Sequence, residues 1–147
     1  MGVALDTCEK LAKHFEGLAD VRNGEVYPYL DPVGVPTQGR GHRVPSLNNA
    51  PWTMDQADQI FAQDCGSYIK IAKRLCPGLT GAALGAIADF AYNLGPTRLA
   101  ASTLRKRLNE GDMQGAREEI VKWVHAGGRI LPGLVKRRRM EANFLRR

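Results

Sequence analysis

The stretch YPYLDPVGVPTQGRGH, Tyr27–His42, packs three prolines and three glycines into sixteen residues. No helix runs through such a sequence, because proline lacks the amide donor and glycine gives up too much backbone entropy. It reads as tight turns joining short strands. Outward from it the pattern changes to helical periodicity. Upstream, Cys8, Leu11, Ala12, Phe15 and Leu18 recur at helical spacing, and Asp6 with Glu9 has the form of a capping box, so a first helix is expected from about Thr7 to Phe15. Downstream, Thr53 with Gln56 is a second capping box. It opens the longest helix, whose stripe of Ala57, Ile60, Phe61, Cys65, Tyr68, Ile69, Ala72 and Leu75 is stopped by Pro77-Gly78. Residues 80–94 are nearly all apolar and belong in a core. Shorter helices are expected near 102–109, 112–125 and 133–145. The fold class that follows is mainly α (α+β): a single domain over 1–147, with a small β-rich lobe at about 17–51, a connecting helix at about 54–75 and a helical lobe at about 77–147 that includes the N-terminal helix. Two lobes imply a cleft, where binding sites form.

At 147 residues, 44% hydrophobic and 24% charged, the composition is that of an ordinary soluble domain. No run approaches the roughly 20 apolar residues of a membrane span. The N-terminal segment has scattered charges and no apolar h-region, so no signal peptide is expected and the chain should be held in a cytoplasm. The three cysteines are odd in number and lack C-x-x-C spacing, which disfavours a disulfide framework and a zinc site. Cys8 and Cys65 fall on apolar stripes and read as buried thiols. The net charge of +6 is carried by residues 129–147, where Arg129, Lys136, Arg137, Arg138, Arg139, Arg146 and Arg147 face Glu141 alone. A basic end of this kind either attracts a polyanion such as an acidic cell envelope or is a solvated helix face.

Chemistry is narrowed by elimination. Gly34 and Gly39 have the spacing of a phosphate loop, but Arg40-Gly41 follows where Lys-Ser/Thr is required. No H-E-x-x-H, Cys/His cluster or calcium loop is present, and no G-x-S-x-G seats a serine nucleophile, so neither metal nor cofactor is expected. What remains are carboxylates: Glu16 where the first helix ends, and Asp31 in the turn-rich patch, with the Thr37 hydroxyl six residues on. Two carboxylates across a cleft are the minimum for breaking a glycosidic bond. One donates a proton to the leaving oxygen, and the other supports the cationic transition state or activates water.

The blocks FEG, YLDPVGVPTQGRGH, FAYNLG, STLRKRLNEGD and AGGRILPGLVKRRRMEANFL occur in that order from about Cys8 to Leu145. Together they resemble the phage-type lysozymes, the endolysin muramidases of glycoside hydrolase family 24. That resemblance implies a two-lobed lysozyme-like fold and hydrolysis of the β-1,4 bond between N-acetylmuramic acid and N-acetylglucosamine in peptidoglycan. It carries a catalytic Glu-Asp-Thr set onto Glu16, Asp31 and Thr37, with inversion at the anomeric carbon. It places substrate contacts at Tyr92, Asn93, Ser102 and Thr103, with Arg137 as a weaker candidate. It also implies a structural ion pair between His42 and Asp64. The implied setting is an endolysin, monomeric and without nucleic acid, that waits in the host cytoplasm for a separate membrane-pore protein and then reaches the cell wall.

The chain departs from the family where Glu and Asp stand fifteen residues apart instead of about nine. The extra residues, within ADVRNGEVYPY, bring Asp20 and Glu25 as rival carboxylates, but only Asp31 sits in the Y-x-D-x-x-G-x-x-T frame. Gln38 and Arg40 stand where apolar or aromatic residues are common, and either touch sugar or decorate the hairpin. Two rival functions share the sequence: a non-catalytic module binding peptidoglycan or a polyanion through the basic end, and the same enzyme acting on a chitin-like glycan.

Overall fold

The computed structural model describes residues 2–146. Its elements run α1 (Gly2–Glu16), β1 (Val21–Arg22), β2 (Glu25–Val26), β3 (Tyr29–Leu30), β4 (Pro36–Gln38), β5 (His42–Arg43), β6 (Trp52–Thr53), α2 (Met54–Leu75), α3 (Gly81–Leu94), α4 (Pro96–Ala100), α5 (Thr103–Asn109), α6 (Met113–Ile120), β7 (His125–Ala126), β8 (Arg129–Ile130) and α7 (Pro132–Asn143). The fold is helix-rich α+β. The chain divides into two compact units, residues 1–11 with 65–147, and residues 12–64. The division falls inside α1 and inside α2, so the smaller unit carries the end of one helix and the start of the other as well as the strands of residues 17–51.

That smaller unit is built from two three-stranded antiparallel sheets, ordered β1-β2-β6 and β3-β4-β5. The β1–β2 hairpin is the extra segment between Glu16 and Asp31. It turns on Asn23-Gly24, both at positive φ (51° and 77°), the arrangement a two-residue hairpin needs. Val26 is fully buried and pairs with Trp52, which fixes the added hairpin to β6. Thr53 and Gln56 cap α2 reciprocally: Gln56 N donates to Thr53 Oγ1 at 3.0 Å, and Thr53 N donates to Gln56 Oε1 at 2.9 Å.

In the larger unit, α3 is buried along residues 83–91 among Cys8, Leu11, Ile69, Leu99, Leu104, Ile120 and Leu145. Trp123 closes on Phe90 edge to face at 5.6 Å. All three cysteines are reduced and buried. Burial pushes the Cys76 thiol up to about 11, against the opposing pull of Arg105.

Several expectations need correction. Asp6 does not cap α1, which begins at Gly2: the apolar stripe extends back through Ala4, and Thr7 Oγ1 donates to Val3 O at 2.8 Å inside the helix. The helix expected over 112–125 stops at Ile120. Gly127 and Gly128, at φ 58° and 76°, form the turn of a β7–β8 hairpin instead of a break between helices. The short α4 arises because Pro96 takes the first helical position, where its missing N–H is no loss.

The basic end is not one surface. Arg137 and Arg138 are buried, leaving Arg129, Lys136, Arg139 and Arg146 exposed, while Arg147 lies outside the described residues. Arg137 grips Asp89 with two hydrogen bonds, Nε to Oδ2 at 2.9 Å and Nη2 to Oδ1 at 2.7 Å. Glu141 shares this interior, with Arg138 Nη1 at 3.1 Å from Oε1, yet neither of its carboxyl oxygens accepts a hydrogen bond. Full burial, and after it the neighbouring Asp89, drive the Glu141 carboxyl well above the usual range, against the pull of both arginines. The folded protein therefore keeps a proton that the unfolded chain releases above about 4.5, and stability falls as pH rises past that value towards the raised folded pKa. Glu141→Gln should remove this dependence. Urea melts at a series of pH values should show the variant gaining on the native protein by up to about 1.4 kcal/mol per pH unit above that point. A constant difference across the series would refute the buried proton.

Candidate active site

Glu16 is the last residue of α1, and Asp31 follows β3 directly. The loop from Asp31 to Val35 folds around the aspartate itself. Its Oδ1 accepts from Val33 N at 2.9 Å and Val35 N at 2.8 Å, while Asp31 N donates to Val35 O at 3.0 Å. Gly34, at φ 87°, makes this return possible. Oδ1 is thus occupied by the backbone. Thr37 lies in β4, buried, with its hydroxyl donating to Val35 O at 2.8 Å. That bond fixes the rotor, so toward a ligand the hydroxyl oxygen is an acceptor.

Tyr29 draws the set together. It pairs with Thr37 across β3 and β4, which puts the two side chains on one face of the sheet. Burial first, and then the charges of both Glu16 and Asp31, push its phenol above the ordinary tyrosine value. Tyr29 is thus both the strand partner of Thr37 and a side chain on which the charges of Glu16 and Asp31 act.

Asp20 holds Arg22 through both oxygens, at 2.9 and 3.0 Å, and this guanidinium keeps the carboxyl below its usual value. Arg22 in turn lies over the Tyr27 ring, 4.5 Å from its centre. Glu25 is exposed in β2.

Around the hairpin the remaining questions resolve. Gln38 is fully buried: its amide donates to Val26 O at 2.9 Å and Ala50 O at 3.1 Å, and its carbonyl accepts from Asn49 at 2.7 Å. It ties the added hairpin to β4 and does not face sugar. Arg40 lies over Phe61, 5.6 Å from the ring centre. His42 Nδ1 stands 2.7 Å from Asp64 Oδ2, joining β5 to α2, and the imidazole also meets Trp52 edge to face.

The five expected substrate contacts lie in the larger unit. Ser102 is the N-cap of α5, accepting from Arg105 N at 3.0 Å and donating to Leu99 O at 2.7 Å. Its hydroxyl is engaged in helix capping. The Arg137 side chain is 4% exposed and held by Asp89. Asn93 accepts a hydrogen bond from Arg138 Nη2, Tyr92 stacks at a tilt on Tyr68 at 5.2 Å, and Thr103 is exposed at the start of α5.

The helix-rich fold with its small β unit is that of lysozyme-like muramidases. Residues 13–141 match the phage lysozyme family. The SAR-endolysin of Escherichia phage Mu is 33% identical over 127 residues, covering 86% of this chain and 74% of the relative. An endolysin of Acyrthosiphon pisum secondary endosymbiont phage 1 is 34% identical, with 89% of each chain covered. The muramidase domain of SpmX from Asticaccaulis excentricus superposes with a TM-score of 0.79 at 25% identity, over 94% of this chain and 93% of that one. The chain belongs to the phage lysozyme family, and as such is a muramidase, a glycoside hydrolase of peptidoglycan.

Proposed function

We propose that the chain is an endolysin that cleaves the β-1,4 bond between N-acetylmuramic acid and N-acetylglucosamine with inversion, and so lyses a bacterial host. What carries the reading is the convergence of Glu16, Asp31 and Thr37 on Tyr29. Glu16 gives its proton to the glycosidic oxygen. The attacking water donates one proton to Asp31 Oδ2 and the other to Thr37 Oγ1, and its lone pair then points at the anomeric carbon. The two acceptors are set by the same backbone carbonyl and amide of Val35, through Thr37 Oγ1 and Asp31 Oδ1. Tyr92, Asn93 and Thr103 remain the proposed sugar contacts, and His42–Asp64 is a structural tie. Among the described residues no helix is long and apolar enough to cross a membrane. We place the enzyme in the host cytoplasm until a separate pore protein opens the membrane. The name SAR-endolysin, borne by the phage Mu relative, marks release from a membrane as the alternative route.

Reducing-end release from purified peptidoglycan, with the first-formed anomer read by NMR, tests bond and stereochemistry together. Turnover of chitin but not peptidoglycan would reject the substrate, and a β-configured first product would reject inversion. The aspartates supply a second test. Asp31→Asn keeps the Oδ1 acceptor but puts an amide donor where the water needs an acceptor, so activity should fall at least about 100-fold. Asp20→Asn and Glu25→Gln should keep most of it. An inactive Asp20→Asn with an active Asp31→Asn would move the catalytic carboxylate into the added hairpin.

A further inference from the structure

A cavity of about 830 Å3 opens within the larger unit, between the first turn of α1, the last turns of α2 and the start of α3. Val3, Ile69 and Leu84 supply apolar wall, while Lys70, Lys73 and Arg74 bring three positive charges to it; among the described residues no acidic side chain lines it. Val3 is 61% exposed, an apolar side chain left in water. Lys73 Nζ donates to Leu79 O at 2.7 Å, which holds the ammonium in place without neutralising it. The start of α3 at Thr80 and Gly81 adds the positive end of a 14-residue helix to the same field. None of these residues takes part in the glycosidase chemistry.

The lining selects its occupant by chemistry. A glycan is gripped by aromatic faces and hydrogen-bonding side chains, and among the described residues the only uncharged polar side chain here is Thr80. A nucleic acid needs aromatic platforms or a track of phosphate contacts longer than three adjacent bases. An apolar hollow edged by cations fits an amphiphile with an anionic head. We propose that this face docks on an anionic phospholipid bilayer, with Lys70, Lys73 and Arg74 on the headgroup phosphates, the exposed Val3 against the acyl region, and the Ile69–Leu84 wall left for an acyl chain that enters the cavity. Docking of this kind would hold the enzyme at the membrane beside which it must act.

The test is sedimentation of the full chain with vesicles of phosphatidylglycerol or of phosphatidylcholine at low salt. Binding to phosphatidylglycerol alone is expected. Each base near an anionic surface is worth about fivefold in affinity, so Lys70→Gln/Arg74→Gln should bind roughly 25-fold more weakly. Arg129→Gln/Arg139→Gln removes the same charge from exposed positions elsewhere and should change binding little. Val3→Asp, at an exposed position, should abolish whatever binding survives about 1 M salt, where charge attraction is screened. Hydrolysis of purified peptidoglycan should be unchanged in the Lys70→Gln/Arg74→Gln protein. The proposal is overturned if phosphatidylglycerol vesicles do not sediment the native chain, or if the two double variants weaken equally, which would reduce the effect to net charge. It is also overturned if peptidoglycan hydrolysis falls with the Lys70 and Arg74 changes, since the face would then serve the glycan.

Discussion

Replacing Glu16 by Gln should slow lysis and reducing-end release at least about 100-fold, with little change in thermal stability. Gln has the size and shape of Glu and can still hydrogen-bond, but it has no proton to give the departing sugar oxygen. General acid catalysis of that step is worth roughly 100- to 10,000-fold, and the lower figure is the conservative expectation. Position favours the assignment: Glu16 ends α1 where the chain turns into the β unit, and its charge reaches Tyr29, the strand partner of Thr37. The pairing of turnover with a melting curve matters, because a variant that lost activity by unfolding would lose both together. Full activity in a folded Glu16→Gln protein would remove Glu16 from the chemistry and leave the non-catalytic binding module standing.

Local rules made much of this fold legible. The Thr53–Gln56 capping box and the Pro77-Gly78 stop are chemical signals at each end of α2, and the helix runs from Met54 to Leu75 between them. Asn23-Gly24 is a comparably strong hairpin signal, and the added segment follows it. Misreadings came where one residue type serves two grammars. Gly127-Gly128 separates helices as readily as it turns a hairpin, and Pro96 after Gly95 ends one helix while starting another. In the site, the motif frame located Asp31 and Thr37, yet gave no hint that Asp31 Oδ1 is tied up by its own loop or that Tyr29 senses both carboxylates. Those are facts of register and loop closure. Composition misled most at the arginine run, because a buried arginine requires an acid from elsewhere. Asp89 is 48 positions away, so no local pattern announces the pair.

That pair carries the largest expected effect on stability. Arg137 and Asp89 are 4% and 0% exposed, so both charges are cut off from water and each is the other's main partner in an interior they share with Glu141. Arg137→Met keeps the length of the side chain but leaves Asp89 facing the Glu141 carboxyl with no guanidinium on it. Asp89→Leu removes the two hydrogen bonds that the guanidinium donates to Asp89 and leaves it with Glu141 at 3.9 Å. Each single change should destabilise the fold by about 3–5 kcal/mol, the usual cost of an uncompensated buried charge. The double change, Arg137→Met with Asp89→Leu, removes both charges and fills the space with apolar groups, so it should recover most of that loss. Urea denaturation of the four proteins closes the cycle. Arg139→Glu, on the exposed side of α7, is the control and should stay within about 0.5 kcal/mol of the native protein. Single variants that cost less than about 1 kcal/mol would mean the pair is hydrated in solution, and the arginine run would return to the surface role that its composition suggests.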